Sequence, residues 1–236
     1  MTSNLAKHYL KTCLVAQTQK KHTATVIFLH GSGDTGEGVR AWVRDVLGQD
    51  FAFPHIKVIY PTAPERPYTP MMGHLSTVWF DRRKIANNVP ENLDSVDSMA
   101  DALGQLINAE VSQGIPKERI VVGGFSMGGA MAMHLGYRFH HDLAGVFALS
   151  SFLNIDSAVY KVLREQQRST SPPLFMCQGT ADPLVMPSWA ETTHTEMKQL
   201  GVSSEFHVYK GLFHEMCKEE LLLLKEWLLK HLPFPQ

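Results

Sequence analysis

Short β-branched, apolar runs alternate along this chain with stretches of helical spacing. The runs are Ala24–Leu29, Ile56–Tyr60, Ile120–Gly123, Gly145–Leu149, Leu174–Cys177 and Phe206–Tyr209, and Thr12–Ala16 reads as an edge strand. Between Asn92 and Ser112, Leu93, Val96, Ala100, Leu103, Ile107 and Val111 recur at three- and four-residue steps, which lines one face of a helix with apolar side chains. Leu221, Leu224 and Leu228 repeat the pattern from Lys218 to His231, and Pro233 follows. Strands that are apolar throughout and separated by helices predict a mostly parallel sheet covered on both faces. No linker, repeat or low-complexity tract breaks the alternation, so residues 1–236 are expected to form a single domain. The irregular piece is Pro61–Val78, which is rich in proline; long loops in compact chains tend to be functional.

Composition narrows the classes. Hydrophobic residues make up 44% and charged residues 19% of the 236, with a formal net charge of −1. That balance lacks the clustered basic excess of a nucleic-acid binder. Lys20-Lys21 and Arg82-Arg83-Lys84 are the densest basic spots, and both read as solvated loops. Cys13, Cys177 and Cys217 cannot all pair and match no zinc spacing, which suits a reducing cytoplasm. Met1–Gln19 lacks an apolar signal core, no span approaches a transmembrane length, and Thr2 stands where myristoylation needs glycine, so no stable membrane anchor is expected. Nothing in the sequence fixes the oligomeric state.

The decisive motif is Gly124-Phe125-Ser126-Met127-Gly128, which follows the Ile120–Gly123 strand and opens a helical segment through Met133. This G-x-S-x-G elbow holds a serine on a tight strand-to-helix turn, where side chains at the flanking glycines would collide with neighbouring backbone. The helix N-terminus aims N–H groups, Met127's among them, at the place where an oxyanion forms. In an α/β-hydrolase the chain order is Ser, then Asp or Glu, then His. Asp182 follows the Leu174–Cys177 strand and His214 follows the Phe206–Tyr209 strand, so both share the carboxyl edge of the sheet with Ser126. Asp156 also follows a strand and is the alternative acid. His207 and His194 lie within elements, His231 closes the last helix, and His30 precedes the serine and is expected to shape its own loop.

That loop, His30-Gly31-Ser32-Gly33-Asp34-Thr35-Gly36, offers a second backbone donor. Its glycines also spell G-x-G-x-x-G, but the next strand ends without the ribose-binding acid of a dinucleotide site. Adjacent His140-His141 diverge on a helix, and no H-E-x-x-H or P-loop is present, so no metal and no cofactor is expected.

Together with Tyr60-Pro61-Thr62-Ala63-Pro64, Trp79-Phe80-Asp81 and Gly179-x-x-Asp182-Pro183-Leu184-Val185, these motifs resemble the acyl-protein thioesterase/lysophospholipase family, in order and over nearly the whole chain. The resemblance implies a cofactor-free cytosolic hydrolase with Ser126, Asp182 and His214 as triad. It also implies the N–H groups of Ser32 and Met127 as oxyanion hole, and S-acylated proteins or small acyl esters and thioesters as substrates. The better-known relatives usually carry Leu at position 32 and Gln at 127, so the acyl lining is expected to differ here. A broad short-chain carboxylesterase and an inactive binding scaffold are the rival readings.

Only Ser151–Pro173 separates the Gly145–Leu149 strand from the one leading to the acid, with much of Asp156–Gln167 able to be helical, so no large lid domain fits. The acyl surface is expected to come from Met71, Met72 and Leu75 in the long loop, with Trp79 as a further contact. For Trp79-Phe80-Asp81 the favoured role is structural, an aromatic pair packing that loop against the domain with Asp81 capping or hydrogen-bonding locally, and acyl contact is the lesser alternative. A small Ser32 and a crowded loop predict a shallow groove favouring short and medium acyl chains.

Overall fold

A computed structural model describes residues 10–19, 21–166 and 170–235. Thr2, Lys20 and Gln167, which entered the readings above, lie outside the described residues. A seven-stranded sheet runs through the molecule in the order β1-β3-β2-β6-β7-β8-β9. Its strands are β1 (Lys11–Val15), β2 (Ala24–Leu29), β3 (Ile56–Thr62), β6 (Ile120–Phe125), β7 (Gly145–Leu149), β8 (Leu174–Gly179) and β9 (Ser204–Tyr209). β1 runs antiparallel to β3 at one edge, and every other neighbouring pair is parallel.

The alternation of side chains along the buried strands divides the core in two. Val26 and Phe28 of β2 face α1 (Gly36–Leu47) and α6 (Lys218–His231), among Val39, Val43, Leu224 and Trp227. Ile27 and Leu29 face the other way, toward α2 (Leu93–Ser112), α3 (Met127–His134) and α5 (Pro187–Gln199). With both faces covered, β2, β6, β7 and β8 are buried along their whole length, which is why they are apolar at almost every position, Thr25 and Gln178 excepted.

Local sequence sets the helix ends. Thr35 caps α1 by accepting the Gly38 N–H at 2.9 Å, and Gly48 closes it in the left-handed conformation. Asn92 caps α2 in the same way. In α2 the expected face buries Val96, Ala100, Leu103 and Ile107, whereas Leu93 and Val111 remain exposed at its ends. α3 is buried on all sides, so it has no polar face.

The stretch 61–78 is more ordered than a loop. It forms a hairpin of β4 (Glu65–Pro67) and β5 (Leu75–Thr77) closed by a 3₁₀ turn at Thr69–Met71. Strands of three residues carry no readable alternation, which explains why the pattern of apolar positions missed them. Between β7 and β8 a short helix, α4 (Ala158–Gln166), fills the interval, and the α/β-hydrolase architecture has no large lid domain. Among the described residues no helix is long and apolar enough to cross a membrane.

Candidate active site

Ser126 stands between the last residue of β6 and the first of α3, at φ 54° and ψ −118°. A non-glycine residue in this region is strained, and the surroundings must impose it. They do so by close packing. A Cβ at Gly124 or Gly128 would fall on the Leu29 carbonyl oxygen, and one at Gly129 would meet Ser151. The Ser126 N–H is anchored to the Leu149 carbonyl at 2.8 Å, and the Ser151 hydroxyl donates to the Ser126 carbonyl at 2.7 Å.

The structure brings the three expected residues together from three strand ends. His214 Nε2 lies 3.1 Å from Ser126 Oγ, and His214 Nδ1 lies 2.7 Å from Asp182 Oδ2. The carboxylate can only accept, so Nδ1 carries the proton of the neutral ring and Nε2 is free to receive the serine proton. Asp182 is buried and its oxygens are filled. Oδ1 accepts from the amides of Leu184 and Val185, each at 2.9 Å, and Oδ2 also accepts from the Gln178 side-chain amide at 3.1 Å. These bonds fix the carboxylate, which fixes the imidazole. The Phe125 ring packs against His214 with centroids 4.7 Å apart, and Gly179 lets the Asp182 and His214 loops meet, because a Cβ there would strike the Leu212 carbonyl.

Asp156 lies elsewhere. It is exposed and lines a second cavity with Glu91, Asn154 and Lys161. His194 stacks on Phe206, His207 packs on Phe175, and His231 Nδ1 donates to the Trp227 carbonyl, so all three are explained without chemistry.

Beside Ser126 is a cavity of about 280 Å³. Ser32 and Met127 both line it, and among the described residues neither backbone N–H is engaged by another protein group. Their side chains touch, with Ser32 Oγ 3.7 Å from Met127 Sδ, so the two positions at which the sequence departs from its better-known relatives form one contact.

The loop bearing Ser32 is held from behind. His30 is fully buried; its Nδ1 donates to the Gly31 carbonyl at 2.6 Å and its Nε2 accepts the Ala63 N–H at 3.0 Å, which requires the neutral ring. Burial pushes its pKa down, in keeping with that role. The Trp79 indole N–H donates to the His30 carbonyl at 2.8 Å, while Thr77 donates to the Asp34 carbonyl and accepts the Gly33 N–H at its own.

The expected acyl contacts are placed differently. Trp79 is fully buried against His30, and the 3₁₀ turn and β5 carry Met71, Met72 and Leu75 outward. Met72 is 90% exposed, and none of these four lines the cavity. Asp81 bonds locally, its carboxylate accepting from the Thr69 amide and hydroxyl at 2.8 and 2.7 Å. The cavity wall comes instead from Trp42, Arg82, Ile85, Phe152, Leu184 and Val185. Arg82 had been grouped with Arg83 and Lys84 as solvated; those two are exposed, whereas Arg82 turns inward. Among the described residues no cluster of His, Cys, Asp or Glu is placed to hold a metal.

The family model for phospholipase/carboxylesterase matches residues 10–232. The chain is 55% identical to lysophospholipase-like protein 1 of Mus musculus over 225 residues, covering 95% of this chain and 93% of that protein. It is 35% identical to acyl-protein thioesterase 1 of Neurospora crassa, covering 93% and 91%. Among solved structures, acyl-protein thioesterase 2 of Zea mays superposes with a TM-score of 0.81 at 28% identity, covering 95% of this chain and all of that one. With a strand-to-helix serine, an extensive fold match and relatives over nearly its full length, the chain belongs to the phospholipase/carboxylesterase family of serine hydrolases.

Proposed function

We propose that the protein hydrolyses acyl thioesters and esters through a covalent acyl-serine, with Ser126 as nucleophile, His214 as base and Asp182 as the carboxylate that orients it. One observation carries this reading: the unbroken Ser126–His214–Asp182 hydrogen-bond chain opens onto a cavity that also holds two unengaged N–H groups. Ser126 Oγ attacks the acyl carbonyl as its proton passes to His214 Nε2. The Ser32 and Met127 amides receive the negative oxygen. His214 then returns the proton to the departing thiol or alcohol, and water, activated by the same ring, releases the acid.

The related thioesterases support S-acylated proteins as a substrate class, alongside small acyl esters and thioesters. The unpaired cysteines Cys13, Cys177 and Cys217 fit a reducing cytoplasm. The small cavity favours short to medium acyl groups.

The test is labelling by a fluorophosphonate, with turnover of matched thioester and oxygen-ester substrates. Wild type should label once and hydrolyse both substrates. Folded Ser126→Ala should do neither, and retained turnover in that variant would overturn the reading.

A further inference from the structure

Arg82 is an unusual wall for an acyl pocket. Its guanidinium carbon lies 4.9 Å from the Phe80 ring centroid and 5.7 Å from that of Phe152. It lines the same cavity as Ser126 and His214. Its Nε is buried without a hydrogen-bond partner, and among the described residues no carboxylate forms an ion pair with it. Two acids that could answer it have hydrogen bonds of their own. Asp81 accepts from Thr69. Asp34, which also lines the cavity, accepts the Thr35 N–H at 2.8 Å at the start of α1.

A partly buried cation without a counter-charge is costly, and proteins normally pair it or expose it. Two aromatic faces offset part of that cost and hold the planar group in place, but they leave its N–H donors unused. Burial pushes Arg82 down from its ordinary value, with Asp81 among the groups opposing; a guanidinium starts so high that it stays charged at neutral pH. The donors that remain suit a planar anion, which an arginine can grip with two parallel hydrogen bonds.

We propose that Arg82 is a specificity-determining residue that binds an anionic group, a carboxylate by preference, carried by the substrate a few bonds from the carbonyl that is attacked. This rests on the hydrolase reading above and names its substrate class. The cavity is too small for the anion to be remote from the reacting carbon. The charge can sit at the far end of a short dicarboxylic acyl group or on the leaving thiol. Both present the same chemistry to Arg82.

Three thioesters separate the possibilities: glutaryl and pentanoyl esters of a neutral thiol, and the pentanoyl ester of mercaptopropionate. The last two differ in the charge of the leaving group, the first two in the charge of the acyl end. Pentanoyl turnover on the neutral thiol, with fluorophosphonate labelling of Ser126, reads the underlying activity alone. Wild type should favour one anionic substrate over its neutral counterpart. Arg82→Gln should lose about 10- to 100-fold more in kcat/KM on that substrate than on the pentanoyl ester of the neutral thiol, the worth of a hydrogen bond to a charged group. Arg82→Lys should fall between them, since it keeps the charge and loses the fork. Glutarate should also slow Ser126 labelling in wild type more than the neutral pentanamide does, a measurement that needs no variant. Equal losses on all three substrates would make Arg82 a packing residue and overturn the proposal, as would a wild type that discriminates against both anions. Absent pentanoyl turnover and labelling in wild type would instead sink the hydrolase reading, and the proposal with it.

Discussion

The Trp79 indole nitrogen donates to the His30 carbonyl oxygen at 2.8 Å, and the two rings lie 4.8 Å apart. One tryptophan buried outside the cavity therefore fixes the residue two positions before Ser32. Trp79→Phe keeps an aromatic ring and deletes the donor. The expected result is a loss of about 1–3 kcal/mol of stability, because a buried carbonyl is left unpaired. The expected kinetic result is a kcat lower by about tenfold with KM nearly unchanged, since a loosened oxyanion loop weakens transition-state binding. Thermal unfolding and steady-state kinetics read the two effects. A variant with unaltered kcat would show that the loop keeps its position without the indole.

Asp182 and Asp156 both follow strands, but only Asp182 reaches His214. Asp182→Asn should lower kcat by about four orders of magnitude, the scale of a lost tautomer. Asp156→Asn should stay within twofold. The reverse ranking, measured on one soluble ester, would remove Asp182 from the proposed triad.

A cavity of 280 Å³ is under twice the 150 Å³ that encloses one benzene, so it has room for about a dozen heavy atoms and not for a sixteen-carbon chain. Over an even-numbered acyl series held below micelle concentrations, kcat/KM should rise through medium chains and then flatten. A continued rise to sixteen carbons would mean that the exposed hairpin, or another surface, supplies a groove. Met72→Ser is the companion variant: with soluble short substrates it should leave kcat/KM within about twofold.

Glu220, in the first turn of α6, is fully buried, and desolvation raises its carboxyl from 4.5 to about 8, only partly offset by the Cys217 amide. Between those values the folded chain keeps a proton that the unfolded chain releases. Stability should therefore fall as pH rises from about 5 to 8, with a slope of up to one proton, about 1.4 kcal/mol per pH unit. Glu220→Gln removes this contribution. The melting temperature of the variant relative to wild type should increase steadily over the same window; a constant difference would show that Glu220 is already ionised in the fold.

The central strands and the meeting of Ser126, Asp182 and His214 were legible because each rests on a local rule: near-uniform apolarity for β2, β6, β7 and β8, and a fixed chain order at one sheet edge for the three side chains. Strand ends ran two residues short at β3, β6 and β8, where the chain turns polar or glycine-rich while still pairing. The pocket wall was not legible. Trp42, Arg82, Phe152 and Leu184 come from four separate segments, and no spacing links them. Composition also misplaced Arg82, since a basic triplet on a loop looks solvated until tertiary packing turns one side chain inward. Met71, Met72 and Leu75 misled for the opposite reason: apolar residues in a long loop suggest a binding surface, and the hairpin faces them outward.

The proposed base is carried by the least protected part of the sheet. His214 follows β9, which pairs only with β8 and has no fully buried residue along its six positions, while Ser126 and Asp182 follow strands hydrogen-bonded on both sides. Opening at an edge requires breaking one ladder rather than two, so heat or denaturant should peel β9 before the centre yields. Catalysis would then disappear while most helical and strand signal persists, and cooling would restore it without refolding of the whole chain. The thermal ceiling for turnover should thus be set by one ladder at the margin and lie below the temperature at which the core itself melts.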